Sequence, residues 1–144
     1  METLDFKPRI RQGGAHSHTV HYWDFVISGK SLFELLALER FDVAGIFSDT
    51  VSSRQQNAWM RQLTGQVPGD LAPDRYPLYV CPECADFACG VVSVEIVFES
   101  DCVIWQNFTY ENTIDPPDNS CFEYWVFTFA QPQYQNALSL FRHG

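Results

Sequence analysis

Val91-Val92-Ser93-Val94-Glu95-Ile96-Val97-Phe98, followed by Glu99-Ser100-Asp101 and then Cys102-Val103-Ile104-Trp105-Gln106-Asn107-Phe108, decides the fold of this chain. Every even position from 92 to 98 is apolar, while the odd positions mix Val91, Ser93, Glu95 and Val97. A period of two is a strand period, because successive side chains leave an extended backbone on opposite faces. The polar triplet at 99–101 reads as a hairpin turn, and Val103 and Trp105 share one face of the returning strand. An antiparallel pair therefore lies at the centre of the domain.

Outward from that hairpin, the pattern alternates between strands and helices. His21 to Ile27 is rich in β formers and stops at Ser28-Gly29, a turn signal. Ser31 with Glu34 fits a capping box, and Leu32, Phe33, Leu35, Leu36 and Leu38 supply an apolar face for a helix over 32–39. Asp42 to Phe47 reads as a short strand. A second helix is predicted from Ser52 or Ser53 to Leu63, with Trp59 and Leu63 on one face and Gly65 as its stop. Gly65, Pro68, Gly69, Pro73 and Pro77 mark a loop over 65–77. Leu78-Tyr79-Val80 reopens β structure, and an aromatic strand is expected over 123–129. Pro132 opens a last helix with Tyr134, Leu138 and Phe141 as its buried stripe. The order implies an α+β fold: a mainly antiparallel sheet with about three helices packed on it. Residues 1–19 read as an N-terminal arm, part of it pairing as an edge strand, and 20–144 as a single domain.

Composition supports a real core and excludes some functions. Of 144 residues, 46% are hydrophobic and 15% aromatic, well above what a disordered chain carries. Nine basic residues face 18 acidic ones, for a net charge of −9. Phosphate backbones are held by clustered Lys and Arg, so no nucleic-acid partner is expected. An acidic surface instead favours encounter with basic proteins. The start of the chain shows no signal peptide, and no run approaches a membrane span, so a cytoplasmic protein is expected. Five cysteines in a reducing compartment read as thiols or metal ligands.

Three of those cysteines crowd into Cys81-Pro82-Glu83-Cys84-Ala85-Asp86-Phe87-Ala88-Cys89-Gly90. Cys81 and Cys84 have the spacing of a zinc knuckle, Cys89 can serve as a third ligand, and Pro82 and Gly90 suit tight turns. A structural zinc site needs a fourth ligand. Cys102 falls at the far end of the central hairpin, roughly 25–30 Å from Cys89 at ~3.3 Å per residue. That leaves Cys121 or a histidine. A thiol-redox reading of the C-x-x-C needs a stabilised thiolate, but no helix follows Cys84, and Glu83 and Asp86 should raise a thiol pKa. The same residues also read as three reduced cysteines packing a tight corner as small hydrophobes.

No G-x-S-x-G, P-loop, G-x-G-x-x-G or H-E-x-x-H occurs, and no histidine lies near the cluster in sequence, so no catalytic residues are assigned and no enzyme is expected. The stretch from Trp105 to Glu123-Tyr124-Trp125 interleaves aromatics with carboxylates. Tyr110, Glu111, Asp115, Asp118, Glu123 and Tyr124 form a candidate partner-binding surface, since Tyr and Trp supply contact area and carboxylates meet a partner's Arg or Lys. The same stretch also reads, more simply, as sheet core with solvated loop charges.

Leu78-Tyr79-Val80-Cys81-Pro82-Glu83-Cys84 to Cys89-Gly90, with Trp105-x-x-Phe108 downstream and Ile27-Ser28-Gly29-Lys30-Ser31-Leu32 upstream, resembles a family of small uncharacterised bacterial proteins often labelled oxidoreductases. In type, though not in motif, the chain also resembles the immunity proteins of bacterial toxin systems, including contact-dependent growth inhibition. That likeness implies a cytosolic protein that occludes a cognate toxin, for instance a basic nuclease. The expectation is thus a non-enzymatic immunity protein without a cofactor; the alternative is a small zinc-binding or thiol-redox protein using Cys81, Cys84 and Cys89.

Overall fold

The structure is a computed structural model, and it describes residues 1–114, 122 and 124–142. The fold is α+β with mainly antiparallel sheets and three helices, as the sequence predicts. Its strands are β1 (Leu4–Arg11), β2 (Val20–Ile27), β3 (Lys30–Ser31), β4 (Ala44–Gly45), β5 (Arg75–Val80), β6 (Val91–Phe98), β7 (Cys102–Glu111) and β8 (Phe127–Ala130). The helices are α1 (Leu32–Leu35), α2 (Ser53–Leu63) and α3 (Gln131–Leu138).

The central hairpin β6–β7 pairs from Val91↔Glu111 to Phe98↔Val103. It sits within the order β4-β5-β6-β7-β8, while β1-β2-β3 form a second sheet. Backbone hydrogen bonds join the two sheets at both ends. Glu2 N–H donates to Thr128 O, and on the other side Trp23 N–H donates to Phe47 O and Asp49 N–H to His21 O. The ladder thus runs round a closed circuit, which removes most free edges. The start of β1 is covered too: Gln133 bonds both the N–H and the carbonyl of Leu4, as a neighbouring strand would.

Two irregularities have clear causes. Pro77 cannot donate to a ladder, so it sits beside a bulge between Pro77 and Tyr79. Asn107 takes φ 53° where β7 shifts register against β6, a conformation that Asn tolerates better than most residues. The Asn107 carbonyl then accepts from Arg75, 2.6 Å away.

The core fills the space between the sheets and the helices. Trp105 is fully buried, with the rings of Phe25, Phe129 and Tyr134 at 5.2–6.0 Å. Helix α2 contributes Trp59, Met60 and Leu63, and Phe47 stacks on Phe141 at 3.8 Å.

Several boundaries differ from the expectation. Within the segment read as an arm, residues 4–11 form a full strand, and Leu4 and Phe6 enter the core. The helix expected over 32–39 keeps its Ser31 cap but ends at Leu35, and Ala37 turns left-handed at φ 53°. Leu36 and Leu38 are both buried, and at 3.6 residues per turn they stand about 200° apart, too far for one helical stripe. The chain breaks into a 3-10 turn instead, with Arg40 donating to the freed Leu36 and Ala37 carbonyls. Strand β5 begins at Arg75, inside the predicted loop, and β8 begins at Phe127 rather than at 123.

Candidate functional site

The corner between β5 and β6 brings Cys81, Cys84 and Cys89 together, with their sulfurs all within 4.8 Å of one another. The Cys84 and Cys89 sulfurs are 3.4 Å apart. Local backbone geometry produces this cluster. Ala85 N–H donates to Cys81 O, and Ala85 itself is left-handed at φ 57°. Asp86 Oδ1 accepts from Ala88 N–H, and its carbonyl accepts from Cys89 N–H, which folds the third cysteine back onto the first two.

Four contacts hold the corner to the body of the protein. Phe87 stacks on Trp59 of α2 at 6.1 Å. Thr113 N–H donates to Ala88 O. Gly90 at φ 153° leaves room for the Tyr110 ring, since a Cβ there would meet the Tyr110 hydroxyl at 2.8 Å. The fourth is Glu83, which accepts from Arg11 Nη1 at 2.9 Å, from His18 N–H at 3.0 Å and from the His18 ring at 2.6 Å. These bonds from His18 and Arg11 pull the Glu83 carboxyl down to about 2.

Cys84 and Cys89 are exposed and Cys81 is half-buried, so packing as small hydrophobes does not account for the cluster. The electrostatics also differ from the expectation. The Cys84 thiol is lowered, chiefly by the Asp86 N–H, with further help from the Cys89 thiol. The Glu83 charge is already engaged by Arg11 and His18. Cys89 is pushed up to about 11, because Cys84 competes for the negative charge.

Cys102 lies at the opposite end of the β6–β7 hairpin, as expected, and is buried beside Glu99 and Asp101. Cys121 lies outside the described residues.

The candidate partner-binding residues divide. Tyr110 is half-buried, stacked on Phe41 at 4.1 Å, and helps to seat the cysteine corner. Glu111 ends β7 opposite Val91 and is half-buried. Tyr124 is 87% exposed, two residues before exposed Val126 (57%), and Ile114 is exposed as well (89%). Asp115, Asp118 and Glu123 lie outside the described residues.

Sequence reasoning missed one polar centre. Asp24 is 3% exposed within β2, and its carboxylate accepts from the Tyr79 hydroxyl and the Ser31 hydroxyl, each at 2.5 Å. Burial raises its pKa, against those two bonds and the charge of Arg9 at 4.0 Å. An aspartate within an otherwise β-forming run was the available signal, since Asp is depleted in strands. Its own partners satisfy the carboxylate, which makes it a structural cross-link between β2, β3 and β5.

Compared with known protein families, with curated proteins and with solved structures, the chain matches none.

Proposed function

We propose that this chain is a small metal-thiolate protein that takes up zinc, or a similarly soft divalent ion, at Cys81, Cys84 and Cys89. The observation that carries this reading is the sulfur geometry. Tetrahedral zinc with Zn–S bonds of ~2.3 Å needs ligand sulfurs about 3.8 Å apart. Three sulfurs within 4.8 Å of one another, with one pair at 3.4 Å, bracket that spacing. The donor set suits the ion, because thiolates select zinc and other soft metals over magnesium or calcium. The anchored loop adds preorganisation, since Arg11 and His18 hold Glu83 beside the thiols. Among the described residues the cluster holds three ligands, which leaves one tetrahedral position for water or for a ligand from elsewhere. Native mass spectrometry of the chain purified without chelators tests the reading: one zinc per chain supports it, and metal-free protein that takes up none on titration overturns it.

A second reading has its own support. Ile114, Tyr124 and Val126 expose large apolar side chains in a chain of net charge −9. Exposed aromatic and aliphatic groups within an acidic surface suit a basic protein partner. On this reading the chain is a cytoplasmic immunity protein, and Tyr110, Glu111, Asp115, Asp118, Glu123 and Tyr124 meet a cognate toxin. A binding titration against the toxin domain encoded beside its gene tests this. Loss of affinity in Tyr124→Ala supports the surface; unchanged affinity, or no binding by the native chain, removes it. Among the described residues no helix is long and apolar enough to cross a membrane.

A further inference from the structure

The C-x-x-C spacing draws attention to Cys81 and Cys84, yet the thiol contact at hydrogen-bonding distance is a different one. Cys84 and Cys89 have their sulfurs 3.4 Å apart, and both side chains are exposed. Cys81 is half-buried at the end of β5, and its carbonyl is tied to Ala85 N–H. We propose that Cys84 and Cys89, rather than the C-x-x-C pair, are an oxidation site that closes to a reversible disulfide when the metal-free cluster meets a peroxide. The inference goes beyond the metal reading and does not depend on it, since it rests on the positions and exposure of the two sulfurs.

The chemistry balances with hydrogen peroxide as the oxidant. One sulfur of the pair, as thiolate, attacks a peroxide oxygen; an S–O bond forms, the O–O bond breaks, and the departing hydroxide takes a proton to become water. The sulfur is now a sulfenic acid. The second sulfur, as thiolate, attacks it; the S–S bond forms, the S–O bond breaks, and the departing hydroxide takes the proton that the second thiol released, leaving as a second water. Two thiols and one peroxide thus become one disulfide and two waters. The sulfurs must close by about 1.4 Å to reach the ~2.04 Å of a disulfide. The Asp86–Cys89 turn already brings the two residues together, and Ala85 and Ala88 present no bulk between them. Solvent reaches both sulfurs, as an attacking peroxide requires.

The test treats the full-length chain, freed of metal by a chelator, with hydrogen peroxide, then alkylates the remaining thiols and locates them by tandem mass spectrometry. The expected product has lost two hydrogens, carries the alkyl group on Cys81, and returns to the starting mass with dithiothreitol. Cys81→Ser should form the same disulfide at a rate within about threefold of the native chain. Cys84→Ser and Cys89→Ser should each stop at a sulfenic acid that dimedone traps. A disulfide that includes Cys81, or one that persists in Cys84→Ser or Cys89→Ser, overturns the proposal. Near-ultraviolet circular dichroism of each variant confirms that the comparison is among folded proteins. Zinc titration of the same samples reports on the metal reading separately.

Discussion

Arg11 Nη1 donates to Glu83 Oε1 at 2.9 Å across 72 residues of sequence, tying the end of β1 to the cysteine corner. The same guanidinium holds Asp42 at 2.7 Å and the His18 carbonyl at 2.6 Å. The residue between Pro82 and Cys84 is therefore a fixed point of the fold, and the position of the thiols depends on a strand far away in sequence.

Acid should loosen this link. The Glu83 carboxyl titrates in the folded protein near 2, below the usual range around 4.3. A depressed carboxyl contributes stability that is present above its unfolded pKa and is lost as pH falls through the folded value. Glu83→Gln should therefore lower the urea midpoint at pH 7, and the difference from the native chain should shrink between about pH 4.5 and pH 2. A constant difference across that window would separate Glu83 from the acid response.

Asp24 should act in the opposite sense. Burial raises its pKa, so the folded state holds its proton more tightly than the unfolded state does. Its contribution then favours folding at acid pH and declines as pH rises from about 3.9 through the raised folded value. Asp24→Asn keeps one acceptor and removes the buried charge, so it should flatten that decline. Asp24→Ala leaves the buried Tyr79 hydroxyl without its acceptor and should cost about 1–3 kcal/mol, while the partly exposed Ser31 hydroxyl can turn to water. Denaturant titrations at pH 4 and pH 7 on both variants distinguish the two effects.

Tyr134 presents a simpler case. Its hydroxyl donates to Leu63 O at 2.5 Å and accepts from Trp105 Nε1 at 3.2 Å, all in the core. Tyr134→Phe preserves the packing and strands both partners, so a loss of about 1–3 kcal/mol is expected. A midpoint equal to that of the native chain would mean that neither bond contributes net stability.

Gly90→Ala addresses the seat of the thiols. At φ 153° a side chain is strained, and its Cβ would meet the Tyr110 hydroxyl at 2.8 Å. The strain should cost about 1–3 kcal/mol and shift Tyr110 from its stack on Phe41. Zinc affinity should fall along with stability, because the loop end that carries Cys89 moves. Unaltered zinc affinity would show that the cluster is set by the 81–86 turn alone.

How much of this was legible in sequence follows from the range of each signal. The alternation over 91–98 and the Ser31 and Ser52 caps are local, and each marks an element that the structure contains. The break at Ala37 was not legible, because burial of both Leu36 and Leu38 overrides the helical pattern. The start of β5 at Arg75 was hidden by Pro77, which a bulge accommodates. The thiol cluster was visible as spacing. Its lowered Cys84 was not, since that rests chiefly on the backbone N–H of Asp86 and on the neighbouring thiols, while the carboxylates at 83 and 86 argued the other way. The Asp24–Tyr79 link joins residues 55 apart, and nothing in either local sequence announces the other.

The central claim is that three thiolates of one corner hold a single metal ion. X-ray absorption at the zinc edge of the loaded chain measures this directly. The account predicts about three sulfur neighbours at ~2.3 Å, falling to two in Cys89→Ser. A first shell of nitrogen and oxygen alone, at ~2.0–2.1 Å and unchanged in that variant, would contradict it.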